Sequence, residues 1–172
     1  MNRYLEINTH LTWGEFKNFN LSLWYRKPAG IFLTIIGIGM LLLVLIYPFA
    51  PSITSGKFPL TQLIFGLSFT LLLPYWIYRS AKKNYDTNSR INENITYKFD
   101  TEWIEIKGES FDAKLTWNKI NKVVETKSSF VIYTTEMTVS IVPKKDMSSE
   151  QIIELSNMIK RIPNLKMQLL NQ

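Results

Sequence analysis

The chain has no cysteine and a single histidine in 172 residues. Without cysteine there is no disulfide scaffold, no thiolate zinc site, no iron–sulfur cluster and no Cys nucleophile. With His10 alone a multi-histidine metal site is excluded, and a Ser-His-Asp triad could form only around that residue. Glycine-rich phosphate loops are missing too, since Gly108 stands alone in its part of the chain. The most telling absence is of charge. Residues 30–50 and 60–78 contain no Asp, Glu, Lys, Arg or His. Proton relays, ion pathways and charged-substrate sites inside a membrane usually need such groups, so the composition argues against all three.

What fills those charge-free stretches is apolar. Gly30 to Ala50 gives a helix of about 31 Å and Leu60 to Tyr78 one of about 28 Å, against a hydrocarbon core of about 30 Å. Neither has the polar face that a core helix of a soluble protein shows. Two transmembrane helices are expected, over 30–50 and 60–78, joined by a short external loop at 51–59. A 29-residue polar lead stands before the first, which makes a signal peptide an unsuitable reading. Aromatic rings flank both runs: Trp24, Tyr25 and Phe32, then Tyr47, Phe49 and Phe58, then Tyr75, Trp76 and Tyr78.

The net charge of +6 is unevenly placed. Residues 1–29 contribute +2, Lys57 in the loop +1, and Arg79, Lys82 and Lys83 +3; residues 84–172 balance 12 basic against 12 acidic side chains. By the positive-inside rule both termini face the cytoplasm, with the chain in the cell (inner) membrane and the lipid bilayer as its first partner. A basic excess beside the membrane, with no recognition helix, speaks against nucleic acid. Polar groups in the runs, Thr34, Thr61, Gln62, Ser68 and Thr70, are expected to bond backbone or the neighbouring helix. Gly66/Thr70 is a small-xxx-small pair that allows close helix approach. Pro74 is expected to kink the second helix.

Residues 1–29 read as a strand and a helix. Leu5, Ile7, Thr9 and Leu11 alternate with Glu6, Asn8 and His10, the period of a strand. Thr12 and Glu15 form a capping box, so a helix starts at Trp13. This helix either lies on the bilayer surface or packs on a cytoplasmic domain; the sequence leaves both open, and does not say whether the strand joins a later sheet. Residues 79–93 are read as a polar linker. From residue 94 to 165 strand signals recur: 94–100, 103–107, 110–117, 122–126, 129–135 and 137–142, an antiparallel meander of six strands. A helix closes it, capped by Ser148 and Gln151 and striped by Ile152, Leu155, Ile159 and Ile162, with Pro163 as its stop.

Tyr97-Lys98-Phe99-Asp100, Trp117-Asn118-Lys119-Ile120, Glu125-Thr126, the strand from Phe130 to Tyr133, and Ile141-Val142-Pro143-Lys144-Lys145 together resemble the YcxB-like C-terminal domain of bacterial membrane proteins. The layout of lead, two membrane helices and domain is similar as well. That resemblance covers about 65 residues by motif and most of the chain by layout. It implies an α+β membrane protein: a two-helix hairpin plus a small antiparallel β-sheet or barrel domain closed by a C-terminal helix, pleckstrin-homology-like by analogy of fold. The family is uncharacterised and transfers no catalytic residue or cofactor.

Among single residues, Lys144-Lys145 are read chiefly as an exposed basic loop, with lipid phosphate as the other option. Trp117 is read as a core anchor rather than a ligand-stacking ring. The carboxylates Glu102, Glu105, Glu109 and Asp112 are read as a solvated face rather than an acid/base pair. The expectation is a non-enzymatic, membrane-anchored protein presenting a small cytoplasmic domain to a protein or lipid partner. The alternative is an accessory or oligomeric component of a membrane transport system, with homo-oligomers of the hairpin left open.

Overall fold

The computed structural model describes residues 4–135 and 138–170. The chain divides into two units: residues 1–15 with 88–172, and residues 16–87. The second unit is therefore an insertion in the first.

The first unit begins with β1 (Leu5–His10), which pairs antiparallel with β2 (Asn94–Phe99) in a register running from Leu5↔Phe99 to His10↔Asn94. The alternation read from the sequence is the cause: Leu5, Ile7 and Thr9 are buried while Glu6 and Asn8 are exposed. β3 (Trp103–Lys107) and β4 (Asp112–Thr116) complete a four-stranded sheet in the order β1-β2-β3-β4. One turn of 3-10 helix, Trp117–Lys119, then redirects the chain. β5 (Lys122–Glu125), β6 (Ser129–Tyr133) and β7 (Val139–Pro143) form a second sheet with β8 (Lys166–Gln168), in the order β7-β6-β5-β8.

The expected single meander is thus corrected to two sheets. The break falls where buried Trp117 pulls the backbone out of the plane after β4. Met137, expected at the start of the last strand, lies outside the described residues.

The closing helix, α6 (Ser149–Arg161), follows β7. The Ser148/Gln151 capping box is present: Gln151 N–H donates to Ser148 Oγ at 3.1 Å, and Ser148 N–H to Gln151 Oε1 at 2.9 Å. Its stripe places Leu155 and Ile159 fully inside with Phe99, Ile104, Phe130, Ile132 and Val142. The domain also runs on past residue 165. Asn164 takes a left-handed turn (φ 59°), and β8 then lies parallel to β5.

In the second unit, α1 (Trp13–Arg26, whose first turn belongs to the first unit) is followed by α2 (Pro28–Ile46), with Pro28 at the first helical position, where its missing N–H costs nothing. A thirteen-residue connection, 47–59, containing a 3-10 turn, Pro51–Thr54, leads to α3 (Leu60–Leu67). A π-helical turn, Ser68–Leu72, joins α3 to α4 (Leu73–Thr87). The disturbance expected at Pro74 takes this form: Leu73 N–H donates five residues back to Ser68 O, and the helix continues. Residues 79–87, read as linker, are consequently helical, and α5 (Ser89–Asn92) adds one more turn in the first unit.

α2 and α3 touch at glycines. A Cβ on Gly37 would lie 2.9 Å from Phe69 Cβ, and one on Gly66 would lie 2.8 Å from Leu41 Cγ. Sequence reading found Gly66 and missed its counterpart. The hydroxyls of Thr34, Ser68 and Thr70 bond the carbonyls of Gly30, Ile64 and Gly66, each four residues back. Two helical runs, Pro28–Ile46 with mean hydropathy 2.8 and Leu60–Thr87 with 1.5, are long and apolar enough to cross a membrane.

The β1 ladder makes a prediction. Ile7 is 1 % exposed. Ile7→Ala should lower the unfolding free energy of the first unit by about 3 kcal/mol, whereas Glu6→Ala on the outer face should stay within about 0.5 kcal/mol. Denaturant midpoints of the full chain in detergent, read by near-UV circular dichroism, separate the two. Equal midpoints would show that β1 contributes nothing to the core.

Candidate functional site

The three residues singled out in the domain all lie in the first unit, and the fold gives each a partner. β7 ends at Pro143, so Lys144 and Lys145 enter a 3-10 turn, Lys144–Asp146. Lys144 turns inward. Its Nζ lies 2.6 Å from Glu125 Oε1, with 12 % of the lysine side chain and 1 % of the glutamate side chain exposed. The ammonium also sits 4.8 Å above the Phe130 ring. The expectation of an exposed basic loop is corrected here for Lys144: it is half-buried and ion-paired.

Glu125 is the centre of this cluster. Its second oxygen, Oε2, accepts from Ser156 Oγ at 3.2 Å and from the Leu170 N–H at 3.0 Å. One carboxylate therefore ties β5, the end of β7, α6 and the chain after β8. A buried carboxylate is tolerable only when its charge and lone pairs are both matched, and here they are. Sequence reading noted Glu125 only as part of a family motif. The signal that could have marked it was an acidic side chain ending an otherwise apolar strand, Lys122-Val123-Val124-Glu125.

Lys145 is exposed but engaged. Its Nζ donates to His10 O at 2.9 Å and to Glu15 Oε2 at 3.0 Å. Glu15 also accepts from the Thr12 N–H at 2.8 Å and the Thr12 hydroxyl at 2.6 Å, the capping box read from the sequence. Burial alone would raise the Glu15 pKa; the Thr12 bonds and Lys145 outweigh it and hold the carboxyl below its ordinary value.

Trp117 is buried. Its indole N–H donates to Asp100 O at 2.8 Å, and its ring lies 6.5 Å from that of Phe99. It holds the turn between β2 and β3 to the break between the sheets.

The four carboxylates are not gathered into a site. Glu105 faces Lys98 at 3.7 Å, Glu109 accepts from Asn94 Nδ2 at 3.2 Å, and Glu102 and Asp112 are exposed. Glu93, unremarked in the sequence, clamps the β3–β4 turn instead. Its carboxylate accepts from the Ser110 hydroxyl and N–H at 2.5 and 2.9 Å, which lowers its pKa.

Two recesses open on the same unit. One, of about 570 Å³, runs along the outer face of α6 beside Glu150, Ile153, Glu154, Met158 and Arg161. The other, of about 380 Å³, is bounded by Asn8, Thr9, His10, Ile95, Thr96 and Asp146, with Thr9 Oγ1 donating to Asp146 Oδ2 at 2.7 Å.

Two predictions follow from these contacts. Lys144→Met should destabilise the domain by about 3–5 kcal/mol, because it strands the Glu125 charge in the interior. Adding Glu125→Leu should restore much of that loss, giving a strongly non-additive cycle. Additive losses would mean the pair is not coupled. For Glu93, a folded pKa below the unfolded value of 4.5 means that its stabilisation is complete above that pH and is lost as pH falls through the folded value. Ser110→Ala should therefore weaken the domain at neutral pH, and the gap from the parent chain should narrow steadily below pH 4.5 in pH-dependent thermal unfolding. A gap independent of pH would rule out the Glu93–Ser110 coupling.

Residues 99–159, which contain Glu125, Lys144 and Trp117, match the family model described as YcxB-like protein. The chain is similar to the uncharacterized protein YcxB of Bacillus subtilis (strain 168), with 29% identity over 89 residues. That alignment covers 52% of this chain and 48% of the relative, so the chain spans about half the length of the curated relative it matches. No solved structure matches the chain. The resemblance read from the short motifs is therefore shown: residues 99–159 are similar to the YcxB-like family.

Proposed function

We propose that the chain is a two-pass membrane protein, non-enzymatic, that holds its YcxB-like domain at the cytoplasmic face as a docking module for another protein. The observation that carries this reading is the β1–β2 ladder. The first unit is assembled from segments on both sides of the helical hairpin. If the hairpin crosses a bilayer, both of its ends must return to the face where that one domain folds. The even number of crossings and the basic residues at the same end of the hairpin support a cytoplasmic placement.

Exposure supports insertion. Along the two runs only 11% and 6% of the most apolar stretch is buried, and Phe32, Ile35, Leu45 and Leu71 stand open. Water would not tolerate so large an apolar surface, whereas lipid would. The two sheets with a helix at the C-terminal end support a pleckstrin-homology-like fold for the domain. The engagement of Lys144, Lys145 and Trp117 within the domain supports a partner that reads its outer surface rather than a buried reaction centre.

Cysteine labelling tests the topology without background, since the chain has no native thiol. Ser55 and Ser128 are exposed on the loop and on the β5–β6 turn. Ser55→Cys should react with an impermeant maleimide added outside intact cells, and Ser128→Cys should react only after lysis. The opposite pattern would refute the proposed orientation.

A further inference from the structure

We propose that Trp76, Arg79 and Lys83 form a binding site for the phosphate of an anionic glycerophospholipid, at the end of the hairpin where α4 leaves the membrane. This inference rests on the two-pass reading above.

The site follows from depth. The Gly37–Gly66 contact stands at the middle of α2, nine residues from Pro28 and nine from Ile46. A hydrocarbon layer of about 30 Å centred on that contact reaches about ten residues either way along each helix. On the second run this limit falls at Trp76, ten residues beyond Gly66. The helix does not stop there. It continues to Thr87, and its 28 residues amount to about 42 Å, well over the hydrocarbon thickness. Arg79 then lies about 5 Å beyond the boundary and Lys83 about 10 Å, the depth of glycerol and headgroup, with long side chains that can reach back.

Side-chain direction agrees. Trp76, Arg79 and Lys83 are spaced i, i+3 and i+7, so they line up along one face of α4. All three are exposed, Trp76 at 68%. They border a recess of about 710 Å³ shared with Tyr75 and Tyr78. The third basic group is already paired: Lys82 Nζ is 2.5 Å from Asp86 Oδ1, and this charge-balanced pair borders the same recess. Arg79 and Lys83 have no ion pair among the described residues, so their two positive charges face the recess unbalanced. A guanidinium beside an ammonium suits a phosphodiester, and an indole ring at the boundary suits the ester carbonyls beneath it. The far end of the hairpin offers only Lys57.

The test uses the full chain reconstituted in phosphatidylcholine vesicles containing a minor fraction of acyl-brominated phosphatidylglycerol. Trp76 quenching is read as the difference from Trp76→Phe, and acyl-brominated phosphatidylcholine at the same fraction gives the unselective level. Quenching by phosphatidylglycerol should exceed that level, and the excess should fall roughly fivefold for each cation removed in Arg79→Gln and Lys83→Gln. Lys57→Gln should leave it unchanged. Inorganic phosphate should reduce the excess no more than sodium chloride of equal ionic strength.

Resistance to carbonate extraction is scored on the same samples. A chain that is extracted would refute the two-pass reading and the site with it. A chain that stays inserted without excess quenching, or keeps the excess in the double variant, would overturn the site alone. Stronger competition by inorganic phosphate would overturn the lipid as its source.

Discussion

The six-residue ladder between β1 and β2 is the constraint on which the rest of this protein depends. It is local in space and distant in sequence, since Leu5 meets Phe99. Closing a loop of that length costs chain entropy that grows only with the logarithm of loop size. The burial of Leu5, Ile7 and Thr9 offsets that cost, and the hydrogen bonds give β2 a neighbour on its open side. Once the ladder forms, the hairpin is no longer an anchor hung on one end of a domain. It becomes an insertion whose two ends are held in register by the domain itself.

The second tie is electrostatic. Glu125 and Lys144 are brought together from β5 and the end of β7, and Ser156 and Leu170 complete the carboxylate's bonds from α6 and the C-terminal segment. Such a pair adds little net stability over well-packed apolar side chains, because desolvation consumes most of the attraction. What it adds is selectivity. A β7 that slipped by one residue would turn Lys144 away and leave a carboxylate buried without a partner, an error of several kcal/mol. The same slip would turn Val142 out of the core, so the ion pair and the apolar packing select the same register. The contact from Leu170 extends the same control to the last strand, β8, which has only three residues and no buried side chain of its own.

What the sequence disclosed was whatever has a period or a cap. The two apolar runs, the alternation in β1, the capping boxes at Thr12/Glu15 and Ser148/Gln151, and the stripe through Leu155 and Ile159 each arise within one continuous stretch of chain, and all are present. What it hid was pairing across distance. Nothing near Leu5 names Phe99 as its neighbour, and nothing in Lys122–Glu125 shows that its acid meets a lysine 19 residues on. The meander was misjudged for a related reason: strand signals report extension, not which strands bond, and the turn at Trp117–Lys119 reads as ordinary sequence. β8 was missed because Lys166, Met167 and Gln168 have no buried face. The same limit applied to the candidate residues. Lys144 next to Lys145 looks like a basic surface loop until the fold supplies Glu125.

A final requirement falls on the sheet edges, where encounters between identical domains turn into strand pairing. Each edge of this domain is defended in a different way. β1 carries Glu6 and Asn8 outward, and Lys145 already occupies the carbonyl of His10 at its end. β4 alternates with Asp112 and Lys114 exposed, the lysine lying 3.7 Å above the Trp103 ring of the adjacent strand. β7 stops at Pro143, which lacks an N–H to offer. β8 is too short to template a partner and brings Lys166 to its first position. Edges blocked in this way leave the domain little open backbone with which to pair another strand. The outer face of α6 presents the side chains of Glu150, Ile153 and Glu154, and a helix offers no strand edge to extend.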